Sequence, residues 1–185
     1  AKHTGGSAET SYCRTEGPAL LIAGSCSKAT LSQIAAFQRQ GGVSAKLDPS
    51  SLLRQPVDQA VDQLWEFVAA HRDEPVLIYS SDTADHVREA QKQAGSAPIS
   101  SLLEEASALL TERAVAQGYR RLIIAGGETS GAITKKLGLD SYQIGESVAP
   151  GVPVMIPYKR PDLRLVLKSG NFGQEDFFQR ALDMT

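Results

Sequence analysis

Two cysteines, Cys13 and Cys26, are too few to staple a disulfide framework, and their spacing matches no metal-ligand pattern. Histidine is nearly as scarce. His3, His71 and His86 read as lying in a tail, at a helix end and at a helix start, so none is placed to activate a serine or cysteine nucleophile. No run approaches the roughly 18 apolar residues that a membrane span needs, and no signal-peptide pattern opens the chain. A cytoplasmic setting is expected. A formal net charge of −2 leaves no basic excess for nucleic acid. The sharp nucleotide fingerprints are missing too: there is no GxxxxGK[ST], and GGETSG is not GxGxxG.

At 185 residues, 42% hydrophobic and 22% charged, the chain has material for one domain with a full core and none for a second large one. Residues 1–17 are polar and glycine-bearing without periodicity, and read as a linker or tail. From residue 18 to residue 185, strand-like and helix-like segments alternate. Residues 19–23, 76–79 and 122–125 are continuous apolar runs of the kind found in a sheet covered on both faces. Residues 43–47 and 163–167 add further strands.

Between the strands, Thr30 and Gln33 have capping-box spacing ahead of Ile34 and Phe37, with Gly41 and Gly42 as the stop. Pro56 suits a first helical position before Val57, Ala60, Val61, Leu64 and Val68. A short helix is expected over 85–93, and a longer one opened by Ser101 and Glu104 and closed by Gly118. Prolines at 150, 153 and 157 mark edge strands or an irregular hairpin, and a closing helix carries Glu175 and Asp176 in its first turn. Such alternation predicts an α/β fold: a three-layer sandwich with a largely parallel sheet and helices on both faces.

Three strands break into loops of glycine and serine: GSCS after residue 23, GGETSGA after residue 125 and KSGNFG after residue 167. In open parallel sheets, ligands sit outside the carboxyl ends of the strands. Glycines 24, 126, 127, 131, 170 and 173 let backbone N–H groups approach an anion, and Ser25, Ser27, Thr129, Ser130 and Ser169 add hydroxyls. A loop that opens a helix, as GGETSGA does, also offers unpaired N–H groups and a favourable dipole. Glu128 fits this cradle as a metal holder through water, as a partner for a ribose hydroxyl, or simply as an acid at a helix start. Lys168 reads equally as a phosphate contact or a strand-end cap. Three loops at one edge suit a triphosphate, and phosphoryl transfer asks mainly for positioning and charge stabilisation.

GSCS, GGETSGA, IGESVAPGVPV and LKSGNFGQEDFFQRAL, in that order, resemble the C-terminal nucleotide-binding domain of the four-carbon acid sugar kinases, over residues 18–184. Members of that family have two domains. The resemblance implies that an N-terminal domain holds the acid sugar and the catalytic base, while this one holds ATP. It implies ATP- and Mg²⁺-dependent phosphorylation of threonate, erythronate or a 3-oxo-tetronate. Carried onto matching positions, it puts nucleotide contacts at Ser25, Gly127, Glu128, Thr129, Ser130 and Gly170, with Gly126, Gly131, Ser169 and Asn171 beside them. Catalytic residues and metal ligands are left unassigned on this chain, and the acceptor domain is absent from it. A homodimer is left open. The rival readings are a non-catalytic module for a nucleotide or another small anion, and a small hydrolase using Cys26 or Ser25.

Overall fold

Apolar runs with no polar interruption become strands that hide both faces, and this chain places three of them, residues 19–23, 76–79 and 122–125, among five parallel strands. A computed structural model describes residues 14–82, 86, 88–89, 91–92 and 99–185. Strands β1 (Ala19–Ala23), β2 (Val43–Lys46), β3 (Val76–Tyr79), β4 (Arg121–Ala125), β5 (Tyr142–Ala149), β6 (Val152–Pro157) and β7 (Arg164–Lys168) form one seven-stranded sheet in the order β2-β3-β1-β4-β7-β6-β5. The first five in that order run parallel. β6 and β5 are antiparallel additions, with register shifts along their pairing, which is the irregular hairpin that the prolines predict.

Six helices are described in full: α1 (Lys28–Arg39), α2 (Pro49–Arg54), α3 (Val57–Ala70), α4 (Ile99–Ala116), α5 (Gly127–Lys136) and α6 (Phe177–Met184). Alternation along β1 divides the core. Leu20 and Ile22 join Ala60, Val61 and Val68 of α3, Leu110 and Ala114 of α4, and Ile133 of α5. Ala19, Leu21 and Ala23 join Ile34 and Phe37 of α1 and Phe177, Phe178 and Ala181 of α6. The sheet is therefore sandwiched between two helical layers. Within this, β1 and β4 are neighbours, yet the helix after β1 packs on one face and the helix after β4 on the other. Adjacent strands whose chains leave to opposite faces open a crevice at their carboxyl ends.

Several boundaries differ from the sequence reading. Ser27, not Thr30, caps α1: its side chain accepts from the Thr30 N–H, while Thr30 and Gln33 are buried inside the helix. α4 begins at Ile99, upstream of the Ser101–Glu104 pair, because Ile99 is itself buried. Pro56 sits one position before α3, and Glu175 and Asp176 precede α6 instead of forming its first turn. The helix α2 is additional; Asp48 caps it by accepting from the Ser50 N–H, and Pro49 opens it. The helix expected over 85–93 lies partly outside the described residues, of which 86, 88, 89, 91 and 92 are helical. His3 and Cys13, with the rest of residues 1–13, also lie outside them. Next to these, the Thr15 N–H donates to the Thr185 carbonyl at 2.8 Å.

Candidate functional site

At the carboxyl edge of the sheet the strand ends are tied to one another by main-chain hydrogen bonds. The Ala125 carbonyl, last in β4, accepts from the N–H groups of Gly24 at 2.8 Å and Ser25 at 3.2 Å. The Gly126 N–H donates to the Lys168 carbonyl of β7 at 2.8 Å. Gly24 is required by contact: a Cβ there would stand 2.2 Å from the Thr129 Oγ1. Gly126 is required by conformation, with φ at +140°. GSCS and GGETS are thus packed against each other.

The KSGNFG loop is tied in from the other side. The Ser27 hydroxyl donates to the Gly170 carbonyl at 2.9 Å, and Lys168 Nζ donates to the same carbonyl at 2.8 Å. Lys168 Nζ also donates to Thr30 Oγ1 at 2.8 Å and stands 5.7 Å from the centroid of the Phe177 ring. The buried Gln33 amide donates to the carbonyls of Phe172 and Gln174, both at 3.0 Å. The three loops expected to converge do converge.

Two cavities flank the start of α5. One, of about 170 Å³, is lined by Gly127 and Ser130 from α5, by Lys168 at the end of β7, by Ser169 and Phe172 after it, and by Gly151 and Val152 where the hairpin turns into β6. Ser130, 9% exposed, lines this cavity, and its Oγ is buried with no hydrogen-bond partner. A buried hydroxyl left unsatisfied is costly and asks for an explanation. The N–H groups of Gly127, Glu128 and Thr129, in the first turn of α5, have no intrahelical acceptor, since the ladder begins with Ser130 N–H to Gly126 carbonyl at 2.9 Å. A Cβ on Gly127 would meet nothing within 4 Å, so the space beside it is open.

Glu128 and Thr129 line the second cavity, of about 500 Å³, on the β1 and β3 side, together with Cys26, Lys46, Asp82 and His86. There Asp82 is bridged by Lys46 Nζ at 2.5 Å and His86 Nδ1 at 2.7 Å. Among the described residues no group of three or more histidine, cysteine, aspartate or glutamate side chains is arranged to hold a metal ion.

Each site residue expected from the sequence lies at this edge, in different roles. Ser25 Oγ accepts from the Ser27 N–H at 3.2 Å and so shapes its own loop. Gly170 has φ at +48°, with its carbonyl turned inward to Lys168 and Ser27. Ser169 is exposed on the smaller cavity, Asn171 lies on a neighbouring one of about 270 Å³, and Gly131 is exposed on the second turn of α5. Cys26 is free and exposed. His71 is committed elsewhere, with Nδ1 2.9 Å from the Phe67 carbonyl.

The sequence reading missed Ser27 and Gln33 as the ties that hold the loops, and Phe172. It left Lys168 undecided. Lys168 follows Val166 by two residues in β7, and that period places it on the face of the α1 and α6 layer. There it is fully buried; desolvation lowers its pKa to about 8, and no carboxylate among the described residues pairs with it.

The model of the family described as "Nucleotide-binding C-terminal domain" matches residues 20–178. A 3-oxo-tetronate kinase of Burkholderia multivorans is 44% identical over 170 residues, which is 91% of this chain and 39% of that protein. A 3-oxo-tetronate kinase of Cupriavidus necator is 41% identical over 167 residues, 90% of this chain and 38% of that protein. The crystal structure of Haemophilus influenzae protein HI1011 superposes with a TM-score of 0.87 at 32% identity, covering 94% of this chain and 42% of that one. The chain spans about two fifths of the length of the curated relatives it matches. No helix among the described residues is long and apolar enough to cross a membrane.

Proposed function

The chain belongs to the family of nucleotide-binding C-terminal domains, and from that premise we propose that it holds the ATP of a kinase acting on four-carbon acid sugars. The observation that carries this reading is the unpartnered Ser130 Oγ, buried in the first turn of α5 beside the free N–H groups of Gly127 and Glu128. A phosphate seated at the start of α5 would give this hydroxyl and the first-turn N–H groups a common acceptor.

In this reading Gly127, Glu128, Thr129 and Ser130 donate to the phosphates, and the Ser169–Gly170–Asn171 segment closes over them. Ser25 and Gly126 set the floor, and Gly131 lets the phosphates approach the second turn. Glu128 is the acidic residue of the cradle and is exposed. A single carboxylate fits a Mg²⁺ ion bound mainly by phosphate oxygens and water, and Glu128 would hold it through water. The ion supplies charge neutralisation along the triphosphate; the chain's own residues orient the nucleotide and keep its terminal phosphate at the open edge.

The domain division follows the same logic. Residues 18–185 form the nucleotide-holding unit and 1–17 connect it to a domain that binds threonate, erythronate or a 3-oxo-tetronate and supplies the base. ATP use fits a cytoplasmic setting. Titration calorimetry with ATP and Mg²⁺ should show saturable binding. Gly127→Val, whose branches enter open space and shield the first-turn N–H groups, should weaken it by about ten-fold or more, the equivalent of one lost charged hydrogen bond. Absence of saturable ATP binding overturns the proposal.

A further inference from the structure

Phe172 is 46% exposed, an unusual placement for a phenylalanine, and it does not lie on a featureless surface. Its ring lines the cavity that it shares with Gly127, Ser130, Lys168 and Ser169, and also the neighbouring one beside Ala149 and Pro150. The ring edge rests near the hairpin turn, where a Cβ on Gly151 would stand 3.5 Å from its Cε1. The backbone beneath it is held from inside the fold: buried Gln33 donates to the Phe172 carbonyl and to Gln174, while Gln33 Oε1 itself goes unpaired. A buried amide is thus committed to holding the backbone beneath an exposed aromatic ring.

The lining mixes donors, in Gly127, Ser130 and Ser169, with the aromatic ring of Phe172. A nucleotide combines anionic phosphates with a flat aromatic base. At about 170 Å³ the cavity is smaller than a pocket that encloses a whole ligand, typically about 300 Å³ or more, so it suits the phosphate end, with the base lying outside it against Phe172, which also lines the neighbouring cavity of about 270 Å³.

Resting on the reading that this chain holds a nucleotide, we propose that Phe172 is the residue on which the nucleobase stacks, between the two cavities that it lines. Phe172 then governs affinity for the base and not for the phosphates, since stacking uses a π-face that every base carries. Adenine and guanine nucleotides are both held by it, and pyrimidine nucleotides less tightly because their stacking area is smaller.

The test compares the wild-type chain with Phe172→Ala and Phe172→Trp by titration calorimetry, using ATP and inorganic tripolyphosphate as separate probes. Phe172→Ala should lose on the order of ten-fold in ATP affinity, keep its tripolyphosphate affinity within about two-fold, and leave the thermal midpoint in place; Phe172→Trp should retain ATP binding. Unchanged ATP affinity in Phe172→Ala overturns this inference while leaving nucleotide binding intact. So does an equal loss for both probes, which marks a purely structural ring. If the wild-type chain binds no ATP, this inference and the functional reading both fall.

Discussion

Gly24→Ala isolates the contact that locks two of the loops together. Gly24 does not have a positive φ, so alanine fits its backbone, and the perturbation is purely steric. The new methyl would lie 2.2 Å from Thr129 Oγ1 and 3.3 Å from Thr129 Cβ, well inside contact distance. Relief requires the start of α5 to shift away from β1. Adding one methyl to a packed site in this way costs typically 1–3 kcal/mol, which in a chain of this size lowers the thermal midpoint by about 2–4 °C per kcal/mol.

The cause is separable by a double-mutant cycle measured in urea. Thr129→Ala removes the hydroxyl and methyl branches and should cost about 1 kcal/mol alone, through a lost buried methyl. Combined with Gly24→Ala it should restore most of the loss, giving a coupling energy of about 1–2 kcal/mol. Thr129→Val keeps the branch and should give no rescue. Because the contact sits at the start of α5, ATP affinity should fall with Gly24→Ala. A Gly24→Ala chain as stable as wild type, or a cycle with no coupling, refutes the claim that GSCS and GGETS are sterically locked.

Lys168 should give the fold an unusual pH response. Its pKa is about 8 in the fold against 10.5 ordinarily, so between those values the unfolded chain keeps a proton that the folded chain has lost. Stability therefore rises with pH across that window, by at most about 1.4 kcal/mol per pH unit. Urea midpoints at about pH 7.5, 9 and 10 should show this rise in wild type and its loss in Lys168→Met; equal slopes would remove the assignment. Tyr119→Phe should cost only about 1 kcal/mol by denaturant unfolding. The Tyr119 hydroxyl donates to the Val68 carbonyl at 3.1 Å, and that carbonyl also accepts from the His71 N–H and stays satisfied, so a loss above about 3 kcal/mol would contradict this account.

The sheet was legible because its strands are uniform. Residues 19–23 and 122–125 contain no polar side chain, and such runs have few homes other than a covered parallel strand. The hairpin was legible from its prolines. Helix starts were harder to place, since Ser27, Thr30 and Gln33 all lie within reach of a capping pattern, and only the burial of Thr30 and Gln33 under the KSGNFG loop decides between them. Asp48 followed by Pro49 is a sound start signal for α2, overlooked because six residues show too little apolar period.

At the site, residue types pointed to the three loops, yet their division of labour came from packing. Nothing in GGETS tells that Glu128 and Thr129 face one cavity while Gly127 and Ser130 face another. Nor does KSGNFG tell that Lys168 turns inward to hold a carbonyl. Its place in the β7 alternation was the one available sign, and burying a lysine with no acid beside it runs against the usual expectation for that residue.

Between β4 and α5 there is a single linking residue, Gly126, and both of its polar groups are committed: the N–H to β7 and the carbonyl to the first rung of α5. The rotational phase of α5 is therefore dictated by the sheet, with no slack to absorb a change in length. One residue gained or lost there would turn the helix by about 100° and carry Ser130 out of its cavity. Loop length at this junction should consequently be a stricter constraint than loop composition, with insertions and deletions excluded beside Gly126.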